Sequence, residues 1–277
     1  MLAQRVVTAL VLVALLLGAL LVSPLAFAAL MALAFALALA EWLQLAGWRF
    51  AIALVVAVLL MGTLVGLLLL APHLLDKLMF PLVAMGTVVW LVIAGLVVQA
   101  QRLGTVQIAP QMSSLAALVL VPAAWCALVL VLRGGVVTLL SVLVIVWLAD
   151  TAAYFSGRAF GKTKLAPRIS PGKTWAGVWG AMLVVVAAAL LAWQLAPSVP
   201  LFSSLLLQRW GIVVAVLLLG VLVAISIVGD LFESMLKRQA GAKDSGHLLP
   251  GHGGFFDRVD AMLALLPPAA LLWTLAS

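Results

Sequence analysis

The sequence predicts an all-α, polytopic integral membrane protein of about nine transmembrane helices, with its N-terminus in the cytoplasm. Three observations carry this. The 277 residues are 67% hydrophobic and only 8% charged, with mean hydropathy +1.35, whereas a soluble domain carries about 25% charged residues. The apolar runs are long enough to cross a ~30 Å hydrocarbon core. They are also apolar on every side instead of alternating, which excludes barrel strands. Finally, with the N-terminus inside, the outer connections hold only Lys77, Arg133 and Arg209 of the 15 Lys and Arg, as the positive-inside rule requires. The net charge of +7 is explained by that bias, so nucleic acid is not an expected partner. The single cysteine, Cys126, lies inside an apolar run and reads as a buried small hydrophobe.

The spans follow in order, separated by turn and breaker residues. The first covers approximately 4–22. Arg5, its apolar run and Ala26-Phe27-Ala28 resemble a cleavable signal, but Val6 to Val22 exceeds the roughly 7–15-residue apolar core of a signal. A second run follows directly, so a retained span is expected. Ser23-Pro24 opens the second span (25–46) and Gly47 precedes the third (51–70). Pro72 with Pro81 separates it from the fourth (78–98), and Gly104 with Pro110 marks the approach to the fifth (114–132). Gly134-Gly135 turns the chain into the sixth (135–155), a polar stretch leads to the seventh (175–196), and Pro197 with Pro200 precedes the eighth (211–231). The eighth helix is able to continue beyond the membrane, and the ninth span covers 259–276. Nine spans put the C-terminus outside. No internal repeat supports an inverted-repeat transporter. The chain divides into N-terminal transmembrane helices (1–113) and a C-terminal catalytic transmembrane region (114–277) with cytoplasmic loops 156–174 and 232–258.

Chemistry is expected at those two loops, which are the only long polar connections. Asp230, Glu233, Asp244, Asp257 and Asp260 lie between positions 230 and 260, and Asp150 ends the span leading into the other loop. At about 100° per residue, Asp230, Glu233, Ser234 and Lys237 share one helix face, opposite Leu231, Phe232, Met235 and Leu236. Two readings stand for that stripe: a salt-bridged interfacial helix, or a functional carboxylate set facing protein or water. Asp257 and Asp260 again share a face at the start of the last span, suited to helix capping or to a hard cation. Mg²⁺ is held by one or two carboxylates plus substrate phosphates. Zinc fits poorly, because His247 and His252 have no cysteine near them.

Between the acidic pairs runs Gly246-His-Leu-Leu-Pro-Gly-His-Gly-Gly254. Glycines let backbone N–H groups approach an anion, and with Lys237, Arg238, Lys243 and Arg258 around it this loop suits a polyphosphate. In the other loop, Gly161-Lys-Thr163 and Gly172-Lys-Thr174 suggest a Walker A motif, but Ser156 and Pro167 replace its first glycine. Lys173 and Thr174 still suit phosphate. Lys162, Lys164 and Arg168 read as positive-inside anchors, and Tyr154 as an interfacial aromatic.

The stretch Ser234-x-Leu-Lys237-Arg238-x4-Lys243-Asp244-x-Gly246-x2-Leu249-Pro250-x-His252-Gly253-Gly254-Phe255-x-Asp257-Arg258-Val259-Asp260 resembles the signature of the phosphatidate cytidylyltransferases, also called CDP-diacylglycerol synthases. Asp150-Thr-x-Ala-Tyr154 and Ser170-Pro-Gly-Lys-Thr-Trp175 resemble further motifs of that family. Ala176 departs from it, since members often carry a polar residue there. The resemblance implies transfer of CMP from CTP to phosphatidic acid with Mg²⁺, a second metal or K⁺ being open. It also implies a cytoplasm-facing funnel in the cell (inner) membrane that admits lipid from the side, and a homodimer.

By the same resemblance Asp230 and Asp257 are metal ligands, with Asp260 and Glu233 as additional ligands or their supports. Asp230, Asp257, Asp260, Lys237 and Asp244 form the expected catalytic set, Asp244 orienting a base or accepting a proton. Asp150, Ser170, Lys173, Thr174, Ser234, Arg238, Lys243, His252, Gly253, Gly254 and Arg258 are the expected substrate contacts. The alternatives are a CTP-dependent enzyme acting on an isoprenoid lipid, and a transporter. A transporter would place charges near span midpoints, whereas these lie at span ends. The D-G-x2-A-R-x8-G-x3-D-x3-D pattern of enzymes that consume CDP-diacylglycerol is absent.

Overall fold

The computed structural model describes residues 2–103 and 107–277, and the side chains of these except residues 2–6 and 9. The Arg5 side chain and the expected breaker Gly104 therefore lie outside the described residues. The elements run α1 (Leu2–Val22), α2 (Pro24–Leu45), α3 (Phe50–Leu70), α4 (Pro72–Leu103), α5 (Pro110–Arg133), α6 (Val136–Phe160), β1 (Lys164–Ala166), β2 (Ser170–Thr174), α7 (Trp175–Leu195), α8 (Phe202–Gln239) and α9 (Phe256–Ala276). Helices α2 to α9 are each long and apolar enough to cross a membrane, and within α1 the stretch Leu10–Val22 is an apolar helix.

Local chemistry sets several of the helix ends. Ser23 caps α2, its Oγ accepting from Ala26 N–H at 3.0 Å with Pro24 in the first turn. Pro110 likewise stands in the first turn of α5, there without a side-chain cap. Between α5 and α6, Gly135 has φ +107°, a conformation that L side chains rarely adopt, so the Gly134-Gly135 turn depends on it. The structure corrects the expectation at Pro81, because α4 continues through it without a break. Proline is tolerated inside transmembrane helices because neighbouring helices and local adjustments satisfy the freed carbonyls.

Two polar connections are shorter than expected. Helix α6 continues to Phe160, and the rest of 156–174 is a two-stranded antiparallel hairpin pairing Lys164 with Thr174 and Ala166 with Ser170. Among the described residues the all-α architecture thus carries one small β-sheet. Helix α8 continues to Gln239 and α9 starts at Phe256, leaving 240–255 as the second loop. Gly211 kinks α8 with φ +76°, and the 28 residues that follow reach about 42 Å at 1.5 Å per residue. That exceeds a ~30 Å hydrocarbon core, so the Asp230–Gln239 end is carried towards the membrane boundary.

The core joins the N-terminal helices to the last two. Trp42 of α2 stacks on Phe256 of α9 with centroids 4.8 Å apart and meets Phe232 of α8 edge-on at 5.5 Å. Trp90 of α4 also meets Phe232, at 5.9 Å. In apolar surroundings an unpaired indole N–H is costly. Here Trp42 Nε1 donates to Ser113 Oγ (3.1 Å), Trp90 Nε1 to Leu263 O (3.0 Å) and Trp125 Nε1 to Ala28 O (2.9 Å). These bonds fix the rotation of α2 against α5 and of α4 against α9, and so help fix the platform on which the ends of α8 and α9 stand. Cys126 is buried in α5 as expected.

Candidate active site

Helices α8 and α9 meet closely because Gly229 has no side chain. A Cβ there would fall 2.8 Å from Ala264 Cβ and 3.2 Å from Ala261 Cα. The next residue, Asp230, therefore faces Asp260 across the contact. Glu233 follows one helical turn later on the same face. Ligand oxygens of Asp230, Glu233 and Asp260 all lie within 4.8 Å of one another. Glu233 is 2% exposed, and its Oε1 is buried without a partner. Three hard oxygen donors so close repel one another unless cations intervene.

Two lysines do intervene. Lys173, on β2, places Nζ 2.5 Å from Asp230 Oδ2. Thr174 at the end of that strand caps α7, its Oγ1 accepting from Gly177 N–H at 3.2 Å, so the hairpin is held at the helix start with Lys173 aimed inward. Lys237, one turn beyond Glu233, donates to Glu233 Oε2 at 2.9 Å and to Asp257 Oδ1 at 2.6 Å. A cavity of about 530 Å³ opens beside Asp230 and Lys173, bordered by Asp150, Tyr154, Arg158 and Thr174. The structure thus brings Asp150, Lys173, Thr174 and Asp230 together, although the first three are remote from Asp230 in sequence.

Asp257 adjoins the three-carboxylate group through Glu233, with which it shares Lys237. Its Oδ2 accepts from Ser245 N–H (2.9 Å), Ser245 Oγ (2.9 Å) and Gly254 N–H (2.8 Å), while Oδ1 faces Lys237. Asp257 thereby ties Ser245 and Gly254 of the 240–255 loop to Lys237 of α8. Gly253, with φ +82°, makes the turn that presents the Gly254 amide. Within the loop, Lys243, Asp244, His247, His252, Gly253 and Arg258 border a second cavity of about 560 Å³. His252 Nδ1 is buried without a partner. Of the remaining expected contacts, Ser170 starts β2 opposite Ala166, Ser234 is half-buried on α8 and Arg238 is exposed near its end.

One acidic residue at this end was not singled out from the sequence. Glu41 of α2 is 0% exposed; its Oε2 accepts from Phe256 N–H at 2.9 Å and lies 3.0 Å from Ser245 Oγ, whose one O–H proton Glu41 and Asp257 share. The available signal was a carboxylate within an otherwise apolar span, which is costly in a membrane unless it is engaged.

The fold is that of a polytopic helical protein of membrane-crossing helices, with carboxylates, lysines and a glycine-rich loop gathered at one end. The chain belongs to the Cytidylyltransferase family, whose sequence profile it matches over residues 3–276. It is 47% identical over 161 residues to the phosphatidate cytidylyltransferase of Pseudomonas aeruginosa, covering 56% of this chain and 55% of that protein. It is 49% identical over 148 residues to that of Brucella suis (51% and 49% covered) and 46% over 133 residues to that of Haemophilus influenzae (48% and 44% covered). The chain therefore spans about half the length of the curated relatives it matches.

Proposed function

We propose that this chain is a phosphatidate cytidylyltransferase, transferring CMP from CTP to phosphatidic acid to give CDP-diacylglycerol and pyrophosphate. One observation carries the reading: Asp230, Glu233 and Asp260 converge beside Lys173, at the same end of the helices as the basic, glycine-rich loop cavity. The names of the three relatives support it. In the reaction an oxygen of the lipid phosphate attacks the α-phosphorus of CTP. A new P–O bond forms there as the bond to the bridging α–β oxygen breaks, and that electron pair leaves on pyrophosphate.

The residues divide the work by position. Lys173 and Thr174 face the cavity beside Asp230, which suits the lipid phosphate because residues of the spanning helices α6 and α8, Asp150 and Ile227, border it. Lys243, His252 and Arg258 border the loop cavity, which suits the triphosphate. Asp257 and Lys237 hold that loop against α8. The carboxylates of Asp230, Glu233 and Asp260, with the unpartnered Glu233 Oε1, fit a hard divalent cation and would hold Mg²⁺. Bound there, Mg²⁺ supplies charge neutralisation to the phosphoryl oxygens and the leaving pyrophosphate. Positioning and electrostatics supply most of the acceleration in such transfers.

The distribution of Lys and Arg supports a cytoplasmic active site in the cell (inner) membrane with the N-terminus inside. A homodimer follows from the family resemblance and is part of the proposal. Purified protein in detergent is expected to transfer label from α-labelled CTP into a lipid-soluble product when given phosphatidic acid and Mg²⁺, and to stop when EDTA is added. A folded protein that forms no labelled lipid would overturn the reading. Transfer to a polyprenyl phosphate in preference to phosphatidic acid would replace the substrate assignment.

A further inference from the structure

Glu41 sits on α2, an element that supplies none of the residues assigned above to phosphate or metal. Yet its carboxylate reaches Ser245 within the active-site loop and the start of the helix that follows the loop. At the far end, Oε2 accepts from the Phe256 N–H that opens α9 (2.9 Å). The preceding residue, Phe255, has no side chain able to cap that helix. A carboxylate at a helix N-terminus satisfies an orphan amide and complements the helix dipole, so α2 caps α9 across the bundle. At the near end, Oε2 lies 3.0 Å from Ser245 Oγ, and that same hydroxyl lies 2.9 Å from Asp257 Oδ2. Ser245 N–H donates to Asp257 as well (2.9 Å). Glu41, Ser245 and Asp257 thus form one continuous polar chain.

The packing shows how tightly the loop is held. A Cβ on Gly246 or on Gly254 would fall closer than 3.0 Å to the Glu41 carboxylate. Both glycines therefore press backbone against it. Next to Glu41, Trp42 stacks on Phe256 with an interplanar angle of 13°. Glu41 Oε1 is buried and unpartnered, closed over by Gly246. Glu41 borders a further cavity of about 530 Å³ with Gln44 and His247, but its side chain is fully buried and, among the described residues, every polar contact it makes is to the Ser245–Phe256 segment.

We propose that Glu41 is a positioning residue whose carboxylate clamps the two ends of the 244–256 segment, and thereby sets the loop cavity in which Lys243, His252 and Arg258 meet a polyphosphate. Its consequence for turnover rests on the cytidylyl-transfer reading. The clamp itself rests on geometry alone. The test uses the full chain in detergent, comparing wild type with Glu41→Ala, Glu41→Gln and Gly246→Ala by hydrogen–deuterium exchange and by steady-state kinetics with CTP and phosphatidic acid.

In Glu41→Ala, peptides covering 241–258 are expected to exchange about 10-fold faster or more, while α5 peptides exchange as in wild type. Turnover per CTP, kcat/KM, is expected to fall by about 10- to 100-fold, the usual cost of removing a residue that orients others. The KM for phosphatidic acid should stay within about twofold of wild type. Glu41→Gln keeps an acceptor oxygen and should restore loop protection and most of the activity. Gly246→Ala, which leaves the carboxylate intact but drives a methyl into it, should behave like Glu41→Ala.

Wild-type exchange of 241–258 in Glu41→Ala overturns the clamp. So does faster exchange spread equally over α5, or a Gln variant as impaired as the Ala variant. If Glu41→Ala does not fold, Gly246→Ala decides on the same peptides, wild-type exchange there counting against the clamp. If wild type itself transfers nothing from CTP, the functional reading fails and the exchange data alone judge the clamp.

Discussion

Lys237 donates to Glu233 at 2.9 Å and to Asp257 at 2.6 Å, with side-chain exposures of 16%, 3% and 7% respectively. It is thus the bridge between the three-carboxylate group and the loop anchor. Its removal would leave two buried carboxylates without their cation, and breaking such a pairing is far more costly than never having it. Lys237→Met is expected to destabilise the protein by about 3 kcal/mol, read as a lower Tm in detergent. Adding Glu233→Gln to that variant should return part of the loss, because the two changes share one interaction. A Tm unchanged by Lys237→Met would show that these carboxylates do not depend on it. The same comparison separates Lys237 from Lys173, whose partner Asp230 is 33% exposed and borders an open cavity. Lys173 is therefore the more accessible of the two lysines, and under the proposed function it is the one expected to meet phosphate.

At the scale of elements, the site depends on the closeness of α8 to α9. The i,i+3 spacing puts Asp230 and Glu233 on one face of α8 whatever the rest of the chain does. Asp260 joins them only because Gly229 lets the two backbones approach, a Cβ there meeting Ala264 at 2.8 Å. Gly229→Ala is expected to lower the transfer rate by about 10²-fold, the usual consequence of displacing reacting groups by an ångström. Gly220→Ala, on the same helix but with open space around its added methyl, should leave the rate unchanged. Equal rates for both variants would remove the helix contact from the account. The β-hairpin plays the matching role for Lys173: strand pairing and the Thr174 cap fix a lysine that a free loop would leave to wander.

For the whole molecule, contacts between ends of different helices agree with the alternation of charge along the chain. Arg168 donates to the Arg102 carbonyl at 3.1 Å and Gln239 pairs with Ile108, all at the end that carries the site. At the opposite end Arg133 meets Asp76 at 2.5 Å. With the single cysteine replaced (Cys126→Ser), a cysteine at Arg209 is expected to react with a membrane-impermeant maleimide added to intact cells. A cysteine at Arg49 should react only after lysis. The reverse pattern would place the active site on the outer face.

Much of this protein was determined by its sequence alone, because the physics involved is local. A chain with 8% charged residues has no soluble fold available to it. Runs of Leu, Val and Ala become helices because lipid offers backbone groups no partner, and helical periodicity places Asp230 beside Glu233 and Asp257 one turn before Asp260. The loops were legible as polar, but not their form: Lys164–Ala166 and Ser170–Thr174 pair as strands, and Pro81 sits inside α4 instead of ending it. Only the tertiary structure decided which carboxylates share a site. It brought Asp260 to Asp230 and Glu233, and it placed Asp257 beside them on the shared Lys237 while bonding it to the loop. It also brought in Glu41, whose bond to Phe256 joins residues 215 positions apart. No local pattern encodes such a contact, which exists because Trp42 packs on Phe256 and delivers the neighbouring carboxylate to a helix end that lacks a cap of its own.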